Sequence, residues 1–207
     1  MLTGPFETRA PLVLASGSPR RRGFLEDLGL QFRIVLPRRA EAMRRDGEEP
    51  EAFARRAALA KAEEVAAREP ASAVIAADTI VALDGVTMGK PRSHEEGLAM
   101  LVSLSGRTHS VHTACCLILP GGAREERAVE ARVTMAFYDE ATLRAYVHTG
   151  EGEDKAGSYA VQGRGAFLVE RIEGSWSGVA GLPLAEVTQL LLAHSIIKLR
   201  RQPGRRF

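Results

Sequence analysis

Cysteine is nearly absent from this chain: among 207 residues only Cys115 and Cys116 are cysteines, and they are neighbours. Adjacent side chains on a strand point to opposite faces, so the two form no bridge and a disulfide framework is excluded. A reducing, cytoplasmic setting is the expectation. Aromatic residues are scarce as well, at 5 % with a single tryptophan, which leaves little of the stacking surface that single-stranded nucleic acid binds. Neither sign of charge prevails. The 28 basic and 26 acidic residues leave a net charge of +2, so a broadly basic nucleic-acid binder is not indicated and no stable nucleic-acid partner is expected. Apolar runs are no longer than a strand, and neither a signal or transit peptide nor a membrane partner is expected. The five histidines show no metal-ligand clustering. His109 and His112, an odd number of positions apart on a strand, are expected to face opposite sides as structural residues.

What the chain has instead is a mixture of strand-sized apolar runs and helical periods. Strands are expected over 11–15 and 31–36, with a helix between them that ends at Gly29. A helix is expected over 50–68, where Ala54, Ala58, Ala62 and Val65 recur at helical spacing. The run 73–83 reads as a buried strand leading to a hairpin at Asp84-Gly85. A helix opened by Ser93 follows to 104, and then strands over 109–119 and 128–137 joined by Pro120-Gly121-Gly122. A short helix over 139–148, a strand over 166–172, a loop over 174–181 and a final helix over 182–199 complete the chain. Strands and helices mix without strict alternation, which predicts an α/β fold with a mixed twisted sheet flanked by helices.

Four features stand out for chemistry. In Ala15-Ser16-Gly17-Ser18-Pro19-Arg20-Arg21-Arg22 an apolar strand gives way to a helix. The first N–H groups of a helix lack partners and carry positive potential, so such a turn attracts anions. Ser18 suits the N-cap, Pro19 the first turn, and arginine supplies a planar fork for phosphate oxygens. Three cations there oppose the helix dipole, an odd choice for stability alone. Second, Lys61 interrupts the apolar stripe of the 50–68 helix and needs an anionic partner or a route to solvent. Third, Asp78 sits inside the apolar run 74–83, where a carboxylate is unfavourable unless paired, protonated or bound to a cation. Fourth, Lys90 precedes a proline. The set Ser16, Arg20, Arg21, Lys61, Asp78 and Lys90 suits hydrolysis of a polyphosphate.

Other strings fail. Gly89-Lys90 is no Walker A loop, because Asp84 and Pro91 stand where that motif needs Gly and Ser or Thr. Gly163-Arg164-Gly165 is followed by Leu168 where a dinucleotide fingerprint needs glycine. Ser195-Ile196-Ile197-Lys198 lacks the companion motifs of the S-x-x-K enzymes.

Taken in order, Ala15 to Arg21, Ala60-Lys61-Ala62, Ala77 to Val81, Gly89-Lys90-Pro91, Leu104-Ser105-Gly106 with His109, Asp154 to Gly163, and Gly181 to Leu184 resemble the Maf family of septum-formation-inhibitor-like nucleoside triphosphate pyrophosphatases. The resemblance spans residues 12 to about 193. It implies a Maf/ITPase-like fold with a central cleft between two lobes: one domain over 11–195, preceded by an extension and followed by a basic tail from 196. It implies hydrolysis of a nucleoside triphosphate to the monophosphate and pyrophosphate with a divalent metal, Mg²⁺ or Mn²⁺, and a homodimer. By carry-over, Asp78 activates water or binds the metal, Glu41 assists metal or water, and Lys90 joins them in catalysis. Ser16, Arg20, Arg21, Lys61, Thr79, Lys155 and Gln162 bind the substrate. Arg20-Arg21, Asp78-Thr79 and Tyr159 to Gly163 are similar to the dTTP/UTP branch. The 7-methyl-GTP branch carries tyrosine, glutamine and glutamate at 20, 79 and 162. An amide at 162 offers one donor and one acceptor, matching N3–H and O4 of thymine or uracil, although a flipped amide also suits cytosine. Ala40, Trp176 and Gly178 depart from the family pattern. A nucleotide- or nucleic-acid-binding regulator of cell division is the non-enzymatic alternative, and it leaves Asp78 unexplained.

Overall fold

Local chemistry sets the order of the elements. The computed structural model describes residues 4–38 and 42–200. Strands Phe6–Thr8 (β1) and Leu12–Leu14 (β2) lead into helix Pro19–Asp27 (α1), where the Ser18 hydroxyl accepts from the Arg21 N–H and Pro19 fills the first turn. Gly29, at φ +80°, closes that helix from the left-handed region that glycine adopts freely. The short strand Arg33–Ile34 (β3) and the long helix Pro50–Arg68 (α2) follow. Strand Ala73–Leu83 (β4) turns through Asp84 and Gly85, both at positive φ, into Val86–Met88 (β5). Then come helix His94–Leu104 (α3), strands Thr108–Ile118 (β6) and Arg124–Met135 (β7), and helix Glu140–Val147 (α4). Two 3₁₀ turns, Ala156–Ser158 and Gly163–Leu168, precede strand Val169–Gly174 (β8), helices Trp176–Val179 (α5) and Leu184–Ala193 (α6), and strand Ile197–Leu199 (β9).

The main sheet runs β3-β2-β4-β6-β7-β8, with β5 paired to the far half of β4. Its β3-β2-β4 side is parallel and the remainder antiparallel, a mixed sheet flanked by helices as expected. Alternation along the strands divides the core. Leu12, Leu14, Ile75, Cys115 and Leu117 pack with α1 and α6 on one face. Val13, Val74, Ala76, Cys116 and Ile118 pack with α2 on the other. The two cysteines therefore lie on opposite faces as free thiols. Beyond residue 80 the far halves of β4, β6 and β7 join α3 and α4 in a third cluster around Val81, Leu101, Val111, Val133 and Leu143. The long central strands thus thread two lobes. In β4 only Asp78 and Thr79, at the step between the lobes, are not buried.

Several expectations change. Residues 6–8, read as a patternless extension, pair with 197–199, which fell inside the expected final helix. That helix stops at Ala193 because Ser195 sits at φ +56°, and the buried β-branched Ile196 and Ile197 continue as strand. β7 starts at Arg124 rather than 128. Its charged beginning lacks an alternating apolar signal, yet it completes the ladder with β6, and Arg124 pairs with Glu63 of α2 and Glu126 of its own strand. β8 begins three residues late because 163–168 winds into a 3₁₀ turn, and the 174–181 loop contains α5.

Candidate active site

The turn after β2 is held by its own side chains. The Ser16 hydroxyl accepts from the Ser18 N–H and from Arg21 Nη1, both at 3.2 Å. Arg21 Nε donates to the Gly181 carbonyl at 2.7 Å, and Nη2 reaches Thr79 Oγ1 at 3.5 Å. Trp176 of α5 stands edge-on to Phe24 of α1, with ring centroids 5.8 Å apart, which fastens the 176–181 segment beside Arg21. Thr113 Oγ1 lies 2.8 Å from the Gly178 carbonyl and 3.0 Å from Thr79 Oγ1. Gly178 has no room for a side chain, since a Cβ there would come within 2.7 Å of Val129 Cγ2.

On the opposite face, the alanines of α2 let the helix lie close to β4. Ala54, Ala57, Ala58 and Ala62 are at most 3 % exposed. Lys61 extends from that face and forms an ion pair with Asp78 Oδ1, the side chains being 19 % and 15 % exposed. The two residues that were anomalous in the sequence are each other's partners. Asp78 Oδ2 accepts from no described residue.

A cleft of about 650 Å³ opens between the lobes at this level. Ser16, Arg20, Arg21, Lys61, Asp78, Thr79, Lys90 and Lys155 all line it. Lys155 Nζ donates to the Asp154 carboxylate and to the Glu151 carbonyl. Arg20 is half-buried, and among the described residues its guanidinium donates no hydrogen bond. Burial disfavours its charge and draws its pKa down, against the pull of Asp154 and Glu151 across the cleft. Burial alone would raise the Asp154 carboxyl, but Lys155 and Arg20 outweigh that and bring it below the usual carboxylate range. A basic cleft whose lining carries the carboxylates of Asp78 and Asp154 can gather phosphate oxygens and place water beside them.

Behind the cleft wall, the hydroxyl of buried Tyr159 lies 2.8 Å from His109 Nε2, and His109 Nδ1 has no partner among the described residues. Burial pushes the His109 pKa down from 6.5 to about 4. Between those values the unfolded chain binds a proton that the folded chain refuses. The stability contribution is therefore complete above pH 6.5 and is lost as pH falls toward 4. Lowering pH from 7 to 5 is expected to remove about 2 kcal/mol of stability through this residue. Urea unfolding of wild type and His109→Gln at both pH values checks it; equal losses in the two proteins would show that His109 is not the source.

The family model described as Maf-like protein matches residues 11–194. The chain belongs to this family. Relatives of the Maf-like chain carry the name dTTP/UTP pyrophosphatase. That of Nitratidesulfovibrio vulgaris is 54 % identical over 195 residues, covering 94 % of this chain and 93 % of its own. That of Oleidesulfovibrio alaskensis is 50 % identical over 196 residues, with coverage of 94 % and 90 %. The Deinococcus radiodurans protein is 45 % identical over 190 residues, with coverage of 90 % and 94 %. The matched span omits β1 and β9, which pair with one another.

Within this Maf-like frame, Glu41 lies outside the described residues, although Ala42 lines the cleft. The structure does not bring Gln162 into the cleft lining: Val161 reaches it, whereas Gln162 opens the second 3₁₀ turn without a side-chain hydrogen bond to that turn. Sequence reasoning missed Asp154, Tyr159 and the Gly181 carbonyl as parts of the site. Asp154 was signalled by its place beside Lys155 in an acidic, glycine-rich loop; a backbone carbonyl leaves no such signal. Among the described residues no three His, Cys, Asp or Glu side chains cluster to hold an ion by themselves. The Asp78 oxygen that has no partner among the described residues is a hard ligand, which fits a divalent cation shared with phosphate oxygens.

Proposed function

We propose that this chain hydrolyses dTTP and UTP to the nucleoside monophosphate and pyrophosphate. The observation that carries the reading is the convergence of Arg20, Arg21, Lys61, Lys90 and Lys155 with Asp78 on one cleft, in a chain whose relatives bear that name. The cationic side chains hold the triphosphate, and the fork of Arg20, which donates no hydrogen bond among the described residues, is the group best placed to take a phosphate bidentately. Lys61 occupies one oxygen of Asp78 and fixes the carboxylate's orientation. The other oxygen orients a water in line with the α-phosphorus and receives its proton as the new P–O bond forms and the α–β bridge breaks. The negative charge that develops on the departing pyrophosphate is met by lysine and arginine side chains already in place. A bound Mg²⁺ or Mn²⁺ would neutralise further phosphate charge; Glu41 would hold it, and Asp78 would do so in the alternative to taking the proton.

Incubation with Mg²⁺ or Mn²⁺ and each of UTP, dTTP, CTP, GTP and 7-methyl-GTP, with pyrophosphate and orthophosphate measured separately, tests the reading. Pyrophosphate from UTP and dTTP is expected, at rates at least about tenfold above the purine nucleotides, the low end of what a difference of fit in a pocket provides. Orthophosphate release would mean cleavage at the γ-phosphate and a different mechanism. Preference for 7-methyl-GTP would move the chain to the other branch, and tight RNA binding without turnover would make it a regulator.

A further inference from the structure

The segment that brings Lys155, Tyr159 and Val161 to the cleft has little regular structure, only the two 3₁₀ turns. One residue, Glu151, touches both of its ends, the far end through its carboxylate and the near end through its backbone carbonyl. The Glu151 carboxylate accepts from the N–H groups of Arg164 at 2.8 Å and Gly165 at 2.7 Å, and from the Tyr146 hydroxyl at 3.2 Å. Its backbone carbonyl accepts from Lys155 Nζ. The oxygen of Tyr146, a buried residue of α4, accepts in turn from the Ala160 N–H at 3.1 Å, which pins the middle of the segment.

The Gly163-Arg164-Gly165 string, which is no dinucleotide fingerprint, acquires a physical reason here. Gly163 sits at φ +79°, and a Cβ on it would lie 2.4 Å from Glu151 Oε1. At Gly165 a Cβ would come within 2.7 Å of both the Ala160 carbonyl and the Tyr146 hydroxyl. The glycines clear the approach of a carboxylate to successive backbone N–H groups, an anion nest occupied by the protein's own side chain. Burial would raise the Glu151 carboxyl, but the two N–H donors, Tyr146 and Lys155 outweigh it and lower it below the usual range. Glu151 also acts on the charge of Arg20, which belongs to the other lobe.

We propose that Glu151 is a positioning residue for nucleotide binding: seated in the Arg164–Gly165 nest, its carboxylate holds the 155–162 segment opposite Arg20, and affinity for the triphosphate depends on it. The proposal rests on the reading that the cleft binds pyrimidine nucleoside triphosphates. A carboxylate that merely staples a surface loop would change the melting temperature and the fraction of active protein, and with it kcat, without altering KM.

The test measures Kd for α,β-methylene-UTP by calorimetry, kcat and KM for UTP, and melting temperature in wild type, Glu151→Ala and Glu151→Gln. Glu151→Ala is expected to weaken analogue binding and raise KM by at least about tenfold, as loss of charge-assisted hydrogen bonds implies, with a smaller change in kcat. Glu151→Gln keeps one accepting oxygen but turns an NH₂ toward a donor, and is expected to fall between Glu151→Ala and wild type; it decides the matter should the alanine variant not fold. Unchanged Kd and KM in the folded variants, or a loss confined to kcat, would overturn the proposal. Wild type that binds the analogue without hydrolysing UTP would overturn the function while Glu151 is still judged on Kd; wild type that does not bind the analogue would overturn both.

Discussion

Asp78→Asn is expected to reduce pyrophosphate release from UTP by at least about 10³-fold, since it removes the carboxylate that accepts the proton. The fold should survive. An asparagine occupies the same volume, and its amide oxygen still accepts from Lys61 Nζ, so no donor in β4 or α2 loses its partner. Lys61 keeps some access to solvent at 19 % side-chain exposure, and the melting temperature is expected to move by no more than about 5 °C. Pyrophosphate assays and thermal melts on the same preparation check both halves. Turnover within tenfold of wild type would remove Asp78 from the chemistry, and loss of the melting transition would make it a structural residue.

Lys61→Met is expected to be the more damaging change to stability. It leaves the Asp78 carboxylate without its counter-ion in a strand that is otherwise buried. Removing one partner of a buried ion pair typically costs about 3–5 kcal/mol, and the partial exposure of this pair places the loss at about 2–3 kcal/mol. The sign of the coupling is the diagnostic. In Lys61→Met/Asp78→Asn the uncompensated charge is gone, so the double variant is expected to regain most of the stability lost in the single one. Urea unfolding of the four proteins in the cycle measures it. Additive losses would mean that the two side chains are not energetically coupled and that the cleft floor is held by something else.

Both predictions turn on two residues whose separate oddity was visible in the sequence. A lysine within an alanine stripe and an aspartate within a run of valine, isoleucine and alanine each announced an unmet requirement, because neither charge is stable in apolar surroundings alone. That each answers the other was not legible, for they lie on different elements and only the approach of α2 to β4 joins them. The capped turn at Ser18 and Pro19 was readable because capping is a local matter of a few residues. The β1–β9 pairing was not, because it unites the two ends of the described chain and carries no local period. The charged start of β7 was hidden for a related reason: its place in the ladder comes from β6, not from its own hydrophobicity. Glu151 showed nothing in sequence beyond an acidic loop, and its nest exists only when residues 151 and 163–165 meet.

By itself, then, the order of residues determined the mixed α/β character, the anion-binding turn after the first sheet strand, the inertness of the cysteines as a bridging pair and membership of the Maf-like family, because these depend on neighbours within a few positions or on a series of short strings. Tertiary structure alone decided which charges share the cleft, that Arg21 is committed to Gly181 while Arg20 is not, and that Gln162 stays out of the lining. The physical reason is range. Caps, turns and alternation act through one or two turns of backbone, whereas ion pairs and clefts are made by the sheet, which brings residues 16, 61, 78, 90 and 155 to one level only after the apolar faces of two lobes have been buried.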